Sequence, residues 1–269
     1  MQDLLAHPAV QGGVAPFLVG LAVAAALFAA RLGGLAAAAG FAVAVWLIGN
    51  FALEPLTATR KLVVVGGAAT LVGLLADFAF KPTRATAPVL GALVGAASLW
   101  VFWSVLGQKP LASGLLYGAG TALFVGWSAG FALSLQSDPV RAGAAGFGMG
   151  LGAGICAVLG ASALLGQYGL AVGAACSGFL LVVMILGRRV VAGASFALPA
   201  AAIASLVAAG TLYLAHLPWY ALGVLALVPV AARLPLPSAA AWLQAVVASF
   251  YALATAGGAC FLAWQASRS

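Results

Sequence analysis

Charged side chains are scarce in this sequence, which has four acidic and eleven basic residues among 269. They make up 6% of the chain, whereas a soluble domain carries roughly 25%. Hydrophobic residues make up 65%, and the mean hydropathy is +1.19. A chain with so little charge and so much apolar surface is not expected to fold in water. The sequence therefore predicts an integral membrane protein without a soluble domain.

Metal ligands and catalytic motifs are also missing. The chain has two histidines, no CxxC pair and no HExxH, so we expect no metal, no cofactor and no enzymatic activity. Cys156, Cys176 and Cys260 all lie in apolar runs, where a free cysteine commonly packs as a small core residue. The net charge of +7 is explained by basic residues in cytoplasmic loops, and we expect no nucleic-acid partner.

Long apolar runs separated by short breaks predict about ten spanning helices. A spanning helix needs about 20 mainly apolar residues, and the continuous apolar runs exclude the alternating pattern of a β-barrel. The sequence predicts an all-α polytopic bundle forming a single membrane domain over residues 1–269. The predicted spans are Val14–Ala30, Gly34–Leu53, Leu62–Phe80, Pro88–Leu106, Ala112–Leu135, Val140–Leu165, Gly169–Leu186, Ser195–Ala215, Pro218–Ala232 and Ser238–Trp264.

The break at Ser137-Asp138-Pro139 divides the chain into two halves of five spans, 14–137 and 138–266. The second loop of each half carries adjacent basic residues, Arg60-Lys61 and Arg188-Arg189. Because five is odd, a duplicated half would be inverted in the membrane, as is common in secondary transporters. The alternative is that such turn signals recur by chance between apolar helices.

The distribution of basic residues predicts the orientation, because cytoplasmic loops are enriched in Lys and Arg. With the N-terminus outside, the predicted inner loops hold seven basic residues and the outer segments hold four. This bias, together with the Ala-, Gly-, Val- and Leu-rich composition, predicts a bacterial inner-membrane protein with both termini outside. The inner set is Arg31, Lys81, Arg84, Arg141, Arg188, Arg189 and Arg233, and the outer set is Arg60, Lys61, Lys109 and Arg268.

Two carboxylates lie close to the predicted spans. An ionisable group at the bilayer centre costs at least about 2.5–3.5 kcal/mol, so one found there suggests function. Asp77 precedes Lys81 by four residues, which predicts either an interfacial ion pair or a cation or proton site at a cavity mouth. Asn50 and Glu54 are also four apart, at the start of the most polar stretch. This stretch is either the longest loop or a short segment that closes over a substrate path.

Aromatic and hydroxyl side chains recur inside the predicted spans. Trp100, Trp103 and Ser104 lie together in the fourth span. Two stripes with helical spacing follow, in the fifth and tenth spans, and each can either line a cavity or form interhelical hydrogen bonds. His216, beside Trp219 and Tyr220, is expected in an interfacial aromatic belt. The two stripes are Tyr117, Thr121 and Ser128, and Gln244, Tyr251 and Thr255.

Glycine gives the strongest local pattern, with every second residue glycine from Gly146 to Gly154. On a helix, Gly146, Gly150 and Gly154 share one face, while Gly148 and Gly152 share another. Glycines at this spacing let helix backbones approach closely. The sixth span is therefore predicted to be a close-packed central helix.

The predicted architecture is similar to that of the drug/metabolite transporter superfamily in chain length and number of spans. Members of that superfamily are described with both termini inside, whereas the charge distribution here predicts both outside. The resemblance includes no motif, so no residue is assigned from it.

Two functions remain open. The first is a secondary carrier of a small neutral or amphipathic molecule, with a cavity between the halves and functional positions at Glu54, Asp77 and the Trp100–Ser104 region. The second is a non-catalytic subunit that packs through its glycine faces in a larger assembly. Expected partners are the lipid bilayer and either a second copy or other membrane subunits.

Overall fold

A computed structural model describes residues 7–52, 54–79, 85–215 and 217–268. For Arg188 it describes the backbone alone. Helices account for 82% of the chain, and no strand occurs in the described ranges. Eight helices are long and apolar enough to cross a membrane, and two further apolar helices are shorter. The prediction of an all-α polytopic bundle is confirmed.

Ten helices in the described residues follow the order of the ten predicted spans. The first begins with a π-helical turn, Val10–Val14, and the ninth consists of two pieces, Trp219–Leu225 and Val228–Ala231. The bounds are α1 Val10–Leu27, α2 Ala36–Gly49, α3 Ala58–Phe78, α4 Thr86–Leu106, α5 Leu111–Leu133, α6 Pro139–Leu159, α7 Ala163–Leu186, α8 Gly193–Leu214, α9 Trp219–Ala231 and α10 Ala241–Ala266.

The predicted boundary between the sixth and seventh spans is wrong. Helix α6 ends at Leu159 and α7 begins at Ala163, so the predicted turn over residues 166–169 lies inside α7. A Cβ on Gly166 or Gly169 would lie 2.5 Å from an α6 atom. These glycines therefore serve close helix packing, and the chain reverses instead at Ala161, with a φ of 65°.

The predicted second span, Gly34–Leu53, extends too far. Helix α2 ends at Gly49, and Asn50 has a left-handed φ of 51° while its N–H donates to the carbonyl of Trp46. This is an ordinary way to close a helix, because asparagine tolerates positive φ. Asn50 and Glu54 therefore do not share a helix face, contrary to the prediction.

Three helices form the centre of the bundle. In the spanning segments of α6, α7 and α8, 72%, 61% and 83% of residues are buried, against 22–33% in α1, α3, α4, α5 and α10. Helix α6 packs against α7, α8 and α10, while α4 pairs with α5, and α5 joins the centre through α8. The exposed apolar side chains of the outer helices suit contact with hydrocarbon.

The two predicted halves interlock. Equivalent helices pack together in two cases, α2 against α7 and α3 against α8. The equivalent helices α1 and α6 differ, because α6 lies at the centre while α1 packs beside α2 and α7. One continuous apolar core connects both halves, and the inverted repeat stays a prediction.

The two glycine faces of α6 occupy two different interfaces. A Cβ on Gly146, Gly150 or Gly154 would lie within 2.7 Å of an α7 atom. A Cβ on Gly148 or Gly152 would lie within 2.9 Å of an α10 side chain. The prediction that this span is a close-packed central helix is confirmed.

Candidate functional site

Asp77 links α3 to the beginning of α8. Its carboxylate accepts hydrogen bonds from the N–H groups of Ala194 (2.7 Å) and Ser195 (2.9 Å). The first N–H groups of a helix have no intrahelical acceptor, and a carboxylate beside them also interacts favourably with the helix dipole. Gly193 has a φ of 69°, and a Cβ there would collide with this carboxylate. Asp77 therefore caps α8, and its predicted partner Lys81 lies outside the described residues.

Glu54 lies in the α2–α3 loop, and both it and Asn50 are exposed. The loop leads directly into α3, where Thr57 caps the helix by accepting from Arg60 N–H, and the Arg60 guanidinium donates to the Pro55 carbonyl at 2.8 Å. Among the described residues, the small cavity beside the loop, about 170 Å³, is lined by Arg60 but not by Glu54. Glu54 and Asp77 are thus not brought together.

The Trp100–Ser104 region lies on the outer surface of α4. Trp103 is 71% exposed, and Ser104 is exposed as well. The Lys61 ammonium lies 5.1 Å from the centre of the Trp100 ring and donates to the Trp100 carbonyl. Lysine with tryptophan is a typical arrangement at the membrane–water interface, so these residues form part of such a boundary.

A cavity of about 730 Å³ lies between α5, the end of α8 and α9, and we call it the α5–α9 cavity. No charged side chain of the described chain lines it. Gly120 of α5 and Gly223 of α9 both line it, and a Cβ on either would have no other atom within 4 Å. The space exists because these positions carry no side chain. Its walls include Leu116, Phe124, Trp127, Trp219 and Leu222.

Three residues form a hydroxyl network at one side of the cavity. The oxygen atoms of Thr121 and Tyr213 are 2.6 Å apart, and the Tyr213 hydroxyl donates to the Tyr117 carbonyl at 3.0 Å. Because Tyr213 has one hydroxyl proton and gives it to that carbonyl, Thr121 is the donor in the first bond. The Lys109 ammonium lies 4.7 Å from the centre of the Tyr117 ring. Polar chemistry therefore concentrates near the α5 N-terminus.

The break in α9 borders this cavity. Pro229 has no N–H for the Leu225 carbonyl four residues earlier, which explains why the helix is interrupted between its two pieces. The indole N–H of Trp127 donates to the Ala226 carbonyl at 3.1 Å, and Ala226 lines the cavity. Irregular backbone at membrane depth is tolerated where it lines a cavity or is satisfied by neighbouring helices. Both conditions hold at Ala226.

Sequence reasoning found only part of this site. Tyr117 and Thr121 were identified as one polar stripe, and the structure confirms the interhelical bond to α8. Their partner Tyr213 is 92 residues from Thr121, and no local pattern indicates such a contact. Ser128, the third member of the stripe, is buried without a hydrogen-bond partner. Trp219 was expected only in an interfacial belt.

In the tenth-span stripe, Gln244 donates to the Pro237 carbonyl and Thr255 donates to that of Tyr251.

The fold defines a polytopic α-helical membrane protein. No protein-family model, curated protein or solved structure matches the chain. Function is therefore inferred from the geometry of the cavity.

Proposed function

We propose that this protein is a secondary transporter of a small neutral or amphipathic molecule, which it binds in the α5–α9 cavity. The observation that carries the proposal is the position of this cavity beside the break in α9. Substrate sites of secondary transporters are typically formed by discontinuous helices where the two halves of the protein meet. Helix α5 belongs to the first half, and α8 and α9 belong to the second.

The size and lining of the cavity support this substrate class. Ligand pockets usually measure about 300–1,000 Å³ and combine apolar walls with a few polar groups, and this cavity measures about 730 Å³. Its polar side-chain groups are the hydroxyls of Tyr117 and Thr121 and the indole N–H groups of Trp127 and Trp219. None is charged, so the enclosed part of the substrate is uncharged. The cavity replaces Glu54, Asp77 and the Trp100–Ser104 region as the proposed binding site.

Transport would proceed by movement of one half against the other around the bound molecule. The Thr121–Tyr213 bond and the Trp127–Ala226 bond both cross the boundary between the halves. Each is a single bond that can break and reform. The interruption in α9, between Leu225 and Val228, supplies a position where backbone angles can change.

The proposal is tested by filling the cavity. Gly120→Leu and Gly223→Leu place side chains in open space, so the protein is expected to fold while uptake of small neutral and amphipathic radiolabelled solutes into proteoliposomes falls at least tenfold. Gly257→Leu is the matched control, because Gly257 is equally open but does not line the cavity. Uptake that survives both cavity variants would rule out this site.

The alternative is a non-catalytic subunit of a larger membrane assembly. Its support is the scarcity of buried charge, the expected lack of a soluble domain and the abundance of glycine surfaces, but both glycine faces of α6 pack inside the protein against α7 and α10. Extraction at native expression level in a mild detergent, followed by native gel and mass spectrometry, discriminates the two functions. A monomer or homodimer favours the carrier, and a reproducible complex with other subunits favours the alternative.

We also propose that the protein resides in a bacterial inner membrane, with both termini outside, and that it is not an enzyme. The orientation is supported by the seven-to-four distribution of basic residues between the two sides. Alkaline phosphatase fused after Ser269 is expected to be active, and green fluorescent protein fused there is expected to be dark. The reverse pattern would invert the orientation.

A further inference from the structure

A second opening lies between α4 and α5, and we call it the α4–α5 groove. Its volume is about 690 Å³. Its floor is made of small residues, among them Gly95, Ala96 and Gly126, where α4 and α5 come close together. Arg233 lines one end, with its guanidinium 5.6 Å from the centre of the Phe131 ring.

The two openings follow α5 one after the other. The α5–α9 cavity is lined by α5 residues from Leu116 to Trp127, and the α4–α5 groove by residues from Ala122 to Ser134. From Leu116 to Ser134 the helix rises about 27 Å, close to the roughly 30 Å of a hydrocarbon core. Leu123 and Trp127 line both openings. Together the openings cover nearly the full thickness of the bilayer.

A cation lies near each opening, and the two cations lie at opposite ends of α5: Arg233 lines the α4–α5 groove, whereas Lys109 contacts a residue that lines the α5–α9 cavity. Lys109 precedes α5 and contacts Tyr117 of the α5–α9 cavity. Arg233 contacts Phe131 close to the last residue of α5. Between them, no described charged side chain other than Arg233 lines either opening. The order along α5 is therefore cation, apolar opening, apolar opening, cation.

We propose that the substrate is a membrane lipid with an anionic head group and that it moves along α5 between these two openings. This inference rests on the proposed transport function and narrows its substrate class. The apolar walls accommodate an acyl chain, while Lys109 and Arg233 bind the head group on opposite sides of the membrane. Basic pockets between spanning helices are known to suit anionic lipid head groups.

Of the two residues that line both openings, Leu123 and Trp127, only Trp127 has a polar side-chain group. Its indole N–H donates to the Ala226 carbonyl, and its ring lies 5.4 Å from the ring of Phe131. A lipid chain passing from one opening to the other passes this side chain, which is 48% exposed. The break in α9 beside it allows the Ala226 carbonyl to move with the indole.

The first test is lipid binding. The purified protein is placed in nanodiscs of equal parts phosphatidylglycerol and phosphatidylcholine, and retained lipids are counted by native mass spectrometry. We expect the protein to retain phosphatidylglycerol in preference to phosphatidylcholine. Lys109→Gln or Arg233→Gln should each reduce this preference about fivefold, because one basic residue near an anionic membrane surface contributes a factor of about that size. Arg268→Gln is the control, because Arg268 lies over Trp264 at the end of α10. Equal retention of both lipids, or retention unchanged by both variants, would overturn the inference.

The second test is lipid movement in liposomes that contain fluorescent phosphatidylglycerol or phosphatidylcholine, with dithionite as the quencher of the outer leaflet. We expect the protein to expose inner-leaflet phosphatidylglycerol selectively. Gly120→Leu in the cavity and Ala96→Leu in the groove should each abolish this, since either blocks the path. Ala254→Leu, at an exposed position of α10, should not.

Separate outcomes distinguish this inference from the proposed function. If small solutes are taken up but phosphatidylglycerol is neither retained selectively nor moved, the lipid inference is overturned and transport stands. If phosphatidylglycerol is retained but neither lipid nor solute crosses the membrane, the lipid is a bound component rather than a substrate, and both proposals fail.

Discussion

Helices α5 and α6 are both rich in glycine, yet Gly120 of α5 is used in the opposite way to the glycines of α6. In α6 the absent side chains let neighbouring backbones touch, and a Cβ on Gly150 would lie 2.7 Å from the Gly173 Cα. In α5 the absent side chain of Gly120 leaves open space in a cavity. The same residue type therefore brings backbones together in α6 and, at Gly120 of α5, leaves open space. Spacing along the sequence does not distinguish these uses, because the difference lies in what stands opposite.

The sharpest test of this comparison makes the same substitution in both helices. Gly150→Ala forces a methyl group against the α7 backbone and is expected to lower the free energy of unfolding by about 1–3 kcal/mol or more. Gly120→Ala meets no neighbour and is expected to raise it by about 0.5–1 kcal/mol, because alanine favours the helix. Unfolding in mixed micelles by denaturing-detergent titration measures both. A similar effect at the two positions would remove the distinction.

The next largest effect on stability is expected at Asp77, which lies where the outer helix α3 meets the central helix α8. Asp77→Asn removes the charge and leaves one acceptor for two N–H groups, so we expect a loss of about 1–2 kcal/mol in unfolding free energy. Transport per folded molecule should not change. A loss of transport at unchanged stability would instead restore the sequence-based hypothesis of an ion site at Asp77. Glu54→Gln is the matched control and should alter neither property.

Tyr213→Phe tests the contact between α5, at the side of the α5–α9 cavity, and the central helix α8. It removes the hydroxyl that bonds Thr121 and the Tyr117 carbonyl. Interhelical hydrogen bonds in membranes average about 0.6 kcal/mol, so we expect a loss of about 1 kcal/mol in unfolding free energy. Tyr251→Phe is the control on the tenth helix. No change in Tyr213→Phe would mean that the network does not hold α5 to α8.

The smallest effect is expected on the outer face of α4. Ser104 is exposed. Ser104→Ala should change the free energy of unfolding by no more than about 0.5 kcal/mol, and the transport rate by no more than the factor that corresponds to this free energy. A tenfold fall in uptake would instead support the Trp100–Ser104 region as part of the binding site.

The fold was largely predictable because a spanning helix can be recognised in the sequence by its length and its apolar composition. Ten apolar helices in the described residues follow the predicted order; eight are long enough to cross a membrane, and α2 and α9 are shorter. The boundaries failed where glycine was taken as a turn signal, as at Gly166 and Gly169, which pack inside α7. A glycine that ends a helix and one that allows close packing look alike until the neighbouring helix is known.

The site was less predictable, because its parts meet only through tertiary packing. Asp77 was identified as unusual, and its carboxylate does have specific partners, but these are backbone N–H groups, which carry no sequence signature. Tyr117 and Thr121 were recognised by helical spacing alone. Trp127 and Tyr213 were missed because their importance depends on α9 and α5 lying beside them.

The Asp77 cap also constrains the order of assembly. Helix α8 leaves the ribosome more than a hundred residues after Asp77 (117 separate it from Ala194), and its first turn has no capping side chain of its own. Until α3 docks, those amide groups must remain near water or lipid head groups. Insertion of α8 to full depth therefore depends on a helix synthesised much earlier, and truncated chains that lack α3 should leave α8 vulnerable to proteolysis at the membrane surface.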